Sequence, residues 1–207
     1  MTDQVAQALL SAQAVQLSTD PLFTWASGIQ SPIYCDNRLL MGYPELREVV
    51  AKQLAKKIEA EFPGCEVVAG TATAGIPHAA WVSSELQLPM VYVRSKAKEH
   101  GRGNQIEGKL IEGQKVVVIE DLISTGGSSI TAVEALQKEG ADVLGVVSIF
   151  SYELPKAAQA FEKVGVPYES LTTLPKLTEQ AQQSGALNEE QLGFIKNWHE
   201  ELQQKNA

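Results

Sequence analysis

The chain has 207 residues, of which 44% are hydrophobic and 20% charged, and its formal net charge is −8. That size and balance suit one globular domain with a full core, and they exclude a disordered chain. The acidic surplus argues against a general nucleic-acid binder, which needs a basic face. No apolar run approaches the length of a membrane span, and Met1, Thr2, Asp3 and Gln4 lack the basic start of a secretory signal. The expected setting is cytoplasmic. There, Cys35 and Cys65, which make no metal-ligand spacing, stay reduced.

In chain order, residues 3–16 read as an amphipathic helix. A short β-like patch at 22–25, a Ser-Gly turn and an extended stretch at 32–36 follow. Leu46, Val49, Val50, Leu54, Ile58 and Phe62 fall at helical spacing. Pro44 suits the first turn of that helix, and Pro63 with Gly64 ends it. Strands and helices then alternate: strand 67–70, helix 76–86, strand 90–93, a polar interlude, strand 116–119, helix 130–138, strand 143–150, helix 155–164 and strand 168–171. Residues 188–204 read as a final helix. The alternation predicts an α/β fold, an open, mostly parallel sheet with helices on both faces. No repeat, linker or low-complexity segment stands out, so residues 1–207 are expected to form one domain.

The most informative stretch is the strand Val116, Val117, Val118 and Ile119, which runs into Glu120 and Asp121 and then Leu122, Ile123, Ser124, Thr125, Gly126, Gly127 and Ser128. Its β-branched run is that of a strand buried on both faces. Open α/β sheets bind ligands at such carboxyl ends. The small turn before a helix offers N–H groups and a positive dipole end to a phosphate, while the acids accept hydroxyls. A sugar phosphate has both kinds of group. The Walker pattern, with its lysine before the hydroxyl residue, is absent.

This run resembles the phosphoribosyl-pyrophosphate (PRPP) signature of the type I phosphoribosyltransferases, which PRPP synthetases and some PRPP-sensing regulators share. The resemblance implies that Glu120 and Asp121 take the ribose. It also implies that Leu122 to Ser128 line the PRPP site, with Thr125, Gly126, Gly127 and Ser128 around the 5′-phosphate.

The polar interlude concentrates Arg94, Lys96, Lys98, His100 and Arg102 in an otherwise acidic chain, among Gly101, Gly103 and Gly108. Its bland reading is a solvated hairpin. Beside a phosphate site, however, such cations can close over a departing pyrophosphate. The order Arg94, Lys96, Lys98, His100, Gly101 is similar to the mobile loop of the orotate-using branch of the family. The adenine branch follows the corresponding lysine with Leu-Pro. By that resemblance, Arg94, Lys98 and His100 contact PRPP in the neighbouring subunit of a homodimer, and Lys98 with Asp121 is catalytic. Many members carry lysine where this chain has Ser95.

Two further patches fit the same family. Residues 23–34 resemble its N-terminal signatures, with Ala26 where many members have a substrate-contacting lysine. Tyr34 is placed near the base, more weakly than Ser124, while Phe23 and Trp25 are read as core. Thr71, Ala72, Thr73, Ala74 and Gly75 match the family's pyrophosphate loop in position, with Ala74 where relatives often have lysine. Among the remaining residues, His78, Trp81 and Trp198 read as packing, Cys65 as structural and His199 as solvated. The resemblance implies transfer of the 5-phosphoribosyl group from PRPP to orotate, Mg²⁺ held through the substrate, and a cap formed by residues 1–40 and the C-terminal tail. It implies neither nucleic acid nor membrane as a partner. The rivals are another base, such as a purine, or a regulator that keeps the fold and binds nucleic acid.

Overall fold

The structure, a computed structural model, describes residues 3–25, 28–96 and 105–206. It opens with α1 (Gln4–Ser11), whose first turn is capped by the Asp3 carboxylate accepting from Val5 N (3.0 Å) and Ala6 N (2.9 Å). This helix is shorter than its periodicity predicts. Gln13 turns the backbone to a φ of 53°, and β1 (Val15–Leu17) leaves to pair antiparallel with β4 (Ile33–Cys35). Between them β2 (Phe23–Thr24) and β3 (Gln30–Ser31) form a small hairpin. A 3₁₀ turn, Asn37–Gly42, leads to α2 (Pro44–Glu61), with proline in its first turn.

The alternating part follows: β5 (Val67–Thr71), α3 (Gly75–Leu86), β6 (Met90–Val93), β7 (Ile106–Glu107), β8 (Lys115–Ile123), α4 (Gly127–Lys138), β9 (Asp142–Ser151), α5 (Pro155–Val164), β10 (Tyr168–Thr173), α6 (Leu174–Gln183) and α7 (Glu189–Lys205). The sheet order is β10-β9-β8-β5-β6-β7, and every pairing is parallel except β6 with β7. From β5 the chain moves first to one side, through β6, and then to the other, through β8. The crevice above the carboxyl ends of β5 and β8 is therefore a topological switch point, where such sheets bind ligands.

Alternate residues of β8 serve two cores. Val117 and Ile119, with Val68, Val147 and Ile149, pack beneath Val50, Leu54, Ile58, Ala79, Val82 and Leu177 of α2, α3 and α6. Val116 and Val118, with Val67, Ala69 and Val146, pack beneath Val133, Leu136 and Phe161 of α4 and α5. Each fully buried side chain of this size contributes roughly 1.5–3 kcal/mol, so β8 is anchored from both faces. Several elements exceed the sequence expectation. The strand β8 runs through both acids to Ile123 rather than stopping before them, α4 begins at Gly127, and α6 fills a region to which the sequence reading gave no element.

Candidate active site

The carboxyl end of β8 carries Glu120 and Asp121. Glu120 is 4% exposed. Its Oε1 accepts from Asp121 N (3.0 Å), and its Oε2 accepts from the hydroxyls of Ser128 (2.8 Å) and Ser129 (3.1 Å). Burial pushes the Glu120 carboxyl up to about 8, and repulsion from Asp121 adds to this, while the donors pull the other way. Asp121 is also raised, chiefly by burial, but remains partly exposed. In the ligand-free site the adjacent acids therefore favour retaining a proton between them.

The bonds from Ser128 and Ser129 tie the first turn of α4 back to the strand. They also commit the Ser128 hydroxyl hydrogen, which leaves this residue its backbone N–H for an anion. Gly126 precedes α4 at φ 81°, and a Cβ there would lie 3.1 Å from the Phe161 ring. The turn thus needs glycine for both conformation and space. Gly127, Ser128 and Ser129 present first-turn N–H groups, which have no partner within a helix.

Beside this turn a cavity of about 70 Å³ is lined by Thr71, Ala72, Val93, Arg94, Ser95, Ser128, Thr131 and Ala132. The Thr71 hydroxyl is buried and has no hydrogen-bond partner among the described residues, so it has donor and acceptor capacity for a ligand. Ala72 N donates to Val93 O (2.9 Å), which ties the turn after β5 to the end of β6. Gly75 has a different task from Thr71 and Ala72. A Cβ on it would stand 2.5 Å from Ile119 O, so glycine lets α3 start against the backbone of β8. Thr73 is exposed and Ala74 precedes α3; neither lines the cavity.

Arg94 borders its own chain's cavity and pairs with Glu107 at 3.5 Å. Arg94 N donates to Gln105 O (2.9 Å) and Gln105 Nε2 donates to Arg94 O (2.9 Å), closing the base of the basic loop. Lys98 and His100 lie outside the described residues, as does Ala26.

A second cleft, of about 250 Å³, is lined by Trp25, Tyr34, Cys35, Leu122, Ser124 and Tyr152. Tyr34 and Ser124 meet here as expected. Leu122, expected on the PRPP side, forms part of this wall, and Ile123 turns into the core beneath α4. Trp25, read from the sequence as core, lines the cleft while its indole N–H donates to Ile33 O (3.0 Å) and its ring meets Tyr152 edge-on at 5.3 Å. Burial raises the Cys35 thiol far above its ordinary value and likewise raises the Tyr152 phenol, so both stay neutral. Asn37, fully buried, joins the two clefts: its Nδ2 donates to Asp121 O (2.7 Å) and its Oδ1 accepts from Cys35 Sγ (3.4 Å).

Sequence reasoning missed Asn37, Ser129 and Tyr152. Tyr152 had a usable signal, since it directly follows a long buried strand at the end where ligands bind. His199 is a correction. It is 7% exposed rather than solvated, with Nε2 2.6 Å from Tyr152 O. His78 is buried, as packing requires, beside Trp81 at 5.3 Å, and burial lowers it to about 4.

The turn after β8, the small cavity beside it and the aromatic cleft meet at the switch point of the sheet. The chain belongs to the phosphoribosyltransferases: the phosphoribosyl transferase domain matches residues 43–185. Within that family it stands among the orotate phosphoribosyltransferases. The orotate phosphoribosyltransferase of Listeria monocytogenes serotype 4b is 58% identical over 195 residues, 94% of this chain and 93% of the relative. Among solved structures, Leishmania donovani UMP synthase superposes with a TM-score of 0.80 at 30% identity, over 96% of this chain and 42% of that longer one. Aeropyrum pernix orotate phosphoribosyltransferase gives 0.76 at 29% identity, over 89% and 99%.

Proposed function

We infer that the chain transfers the 5-phosphoribosyl group from PRPP to orotate, giving orotidine 5′-monophosphate and pyrophosphate, a step of pyrimidine biosynthesis. The carrying observation is that one continuous segment serves both clefts. Leu122 and Ser124 line the aromatic cleft, and Ser128, a few residues on, lines the anion cavity. Substrates seated in the two would meet over Asp121.

In the reaction the C1′–O bond of PRPP breaks, and its electron pair leaves with pyrophosphate. A ring nitrogen of orotate supplies the pair for the new C1′–N bond. The α4 first-turn N–H groups and Thr125 hold the 5′-phosphate. Thr71 and the backbone of 71–75 receive the diphosphate. Asp121 stabilises positive charge on the ribose, while Glu120, engaged by three donors, holds the phosphate turn in place. Lys98 and His100 neutralise the leaving group. Oxygen-rich surroundings suit a hard cation. Mg²⁺ would be held through the substrate beside Asp121 and would supply charge neutralisation there.

The same reading makes the protein a cytoplasmic homodimer in which Lys98 and His100 serve the neighbouring subunit's site. Arg94, expected to do the same, borders its own chain's cavity, which supports a contact within the chain. Residues 1–40 with the C-terminal tail form a cap over the base end, supported by the edge-on contact of Trp25 with Trp198 at 5.8 Å. No helix among the described residues is long and apolar enough to cross a membrane.

The test is a panel of bases, orotate, uracil, adenine and hypoxanthine, each with PRPP and Mg²⁺, followed by pyrophosphate release. Release with orotate alone is expected; release with a purine instead, or with no base dependence, contradicts the reading.

A further inference from the structure

The C-terminal helix α7 touches the base cleft without lining it. Trp198 and His199 are successive residues on it, and each holds one member of an aromatic pair that lines the cleft. The Trp198 indole N–H donates to Gln30 O (3.0 Å), on the hairpin that carries Trp25. Its ring meets the Trp25 ring edge-on at 5.8 Å, interplanar angle 84°. His199 Nε2 bonds Tyr152 O at 2.6 Å, on the segment leaving β9. One turn further on, Gln203 Nε2 donates to Glu153 O (3.0 Å). Trp25 and Tyr152 in turn contact each other at 5.3 Å and face the cleft together.

These contacts have a shared consequence. The Trp25 hairpin and the end of β9 are far apart in sequence, and only the second is held by the sheet, where Tyr152 N donates to Ile123 O (3.1 Å). The hairpin has two residues in each strand, and Glu153, just after Tyr152, adopts a φ of 52°. A rigid helix bonded to both fixes how the short hairpin sits against the end of β9, and with it the orientation of the Trp25–Tyr152 pair that lines the cleft. An aromatic wall of fixed orientation recognises a planar ring by stacking and edge contacts. His199 lies on the buried stripe Leu192, Ile195, His199, Leu202, where an aliphatic residue would fill space equally well. A ring nitrogen there adds a bond that packing alone does not require.

We propose that α7 is the positioning element of the base cleft, with Trp198 and His199 acting as positioning residues that set the affinity and selectivity for the pyrimidine while leaving the PRPP side untouched. The proposal rests on the reading of this cleft as the orotate site.

Three variants test it: Trp198→Phe, which keeps a ring but removes the bond to Gln30 O; Trp198→Ala, which removes both; and His199→Phe, which fills the space without a donor. KM for orotate, KM for PRPP and kcat are measured separately, with thermal melting as the check on folding. The expected result is a KM for orotate raised about fivefold in Trp198→Phe and in His199→Phe, as for loss of one hydrogen bond. Trp198→Ala should raise it roughly tenfold or more, while KM for PRPP stays within about twofold throughout. Discrimination between orotate and uracil should narrow in the same order. A purely structural role gives a different pattern, with lower melting temperature and kcat but both KM values unchanged; that result overturns the proposal, as does a parallel rise in both KM values. If Trp198→Ala does not fold, the two phenylalanine variants carry the test alone. Wild-type protein is assayed first. Failure there to consume orotate contradicts the functional reading, whereas normal wild-type turnover with an unmoved orotate KM in folded variants contradicts only the role of α7.

Discussion

The phosphate side and the base side of the site are built in opposite ways. The phosphate side is local: β8, the turn after it and the first turn of α4 supply the acids, the hydroxyls and the N–H groups, and Glu120 bonds them into one unit. The base side is assembled from residues 25, 34, 35, 122, 124 and 152, held by contacts that cross much of the chain. A cradle for a phosphate can be local because it needs mainly backbone donors and one sharp turn. A slot for a flat ring needs two walls facing each other, which a short segment cannot provide.

The largest expected effect falls on the chemistry that the phosphate side serves. Lys98→Ala should lower kcat by roughly a hundredfold or more, as for loss of a group that stabilises developing charge, with little change in orotate binding measured by titration. Mixed dimers of Lys98→Ala with an inactive Asp121→Asn chain should regain activity, since one of the two sites then combines an intact loop with an intact acid. No recovery in verified heterodimers places Lys98 in its own chain's site.

Next comes rigidity. Gly75→Ala places a methyl 2.5 Å from Ile119 O, and displacing backbone at that contact should cost about 1–3 kcal/mol. The melting temperature should fall by several degrees; an unchanged melting curve shows that α3 can retreat from β8 freely, and that the phosphate side is looser than its bonds suggest.

Asn37→Ala cuts the join between the two sides. It removes a 2.7 Å bond to Asp121 O and leaves that carbonyl without this donor, at a cost of about 1–2 kcal/mol. KM for orotate should rise more than KM for PRPP, because the loss frees the wall carrying Tyr34 and Cys35. Equal rises would assign Asn37 to the phosphate side.

A further effect is a slope with pH. Folding raises Glu120 from its ordinary 4.5 to about 8. Between those values the folded chain holds a proton that the unfolded chain has released. The associated stability is fully present below pH 4.5 and is lost as pH rises through about 8. Glu120→Gln cannot lose that proton, so its melting temperature should decline less than that of the wild type between about pH 5 and 9. Parallel curves mean that the three donors hold Glu120 ionised.

The same contrast decides what could be read from the sequence. The phosphate side was legible because its parts are consecutive, a β-branched strand, two acids and a small turn, each with a direct physical meaning. The alternating pattern was legible for the same reason, and it fixed the class of fold. The base side was legible only in part, at Tyr34 and Ser124. Trp25 read as core and does pack against the core, but only the arrival of Tyr152 and Trp198 also makes it a wall of the cleft. His199 read as solvated because Glu200 and Glu201 follow it, yet the spacing of Leu192, Ile195, His199 and Leu202 places it on the buried stripe of α7. Residues 15 and 16 continued a helical pattern until pairing with β4, a tertiary contact, took them into a strand.

The most direct measurement is product identification. PRPP, orotate and Mg²⁺ are incubated with the protein, and nucleotide and pyrophosphate are quantified together by mass spectrometry and a coupled assay. The account predicts orotidine 5′-monophosphate and pyrophosphate in equal amounts, with neither formed when orotate is omitted. Pyrophosphate without the nucleotide, or a nucleotide made only from a purine, would contradict it.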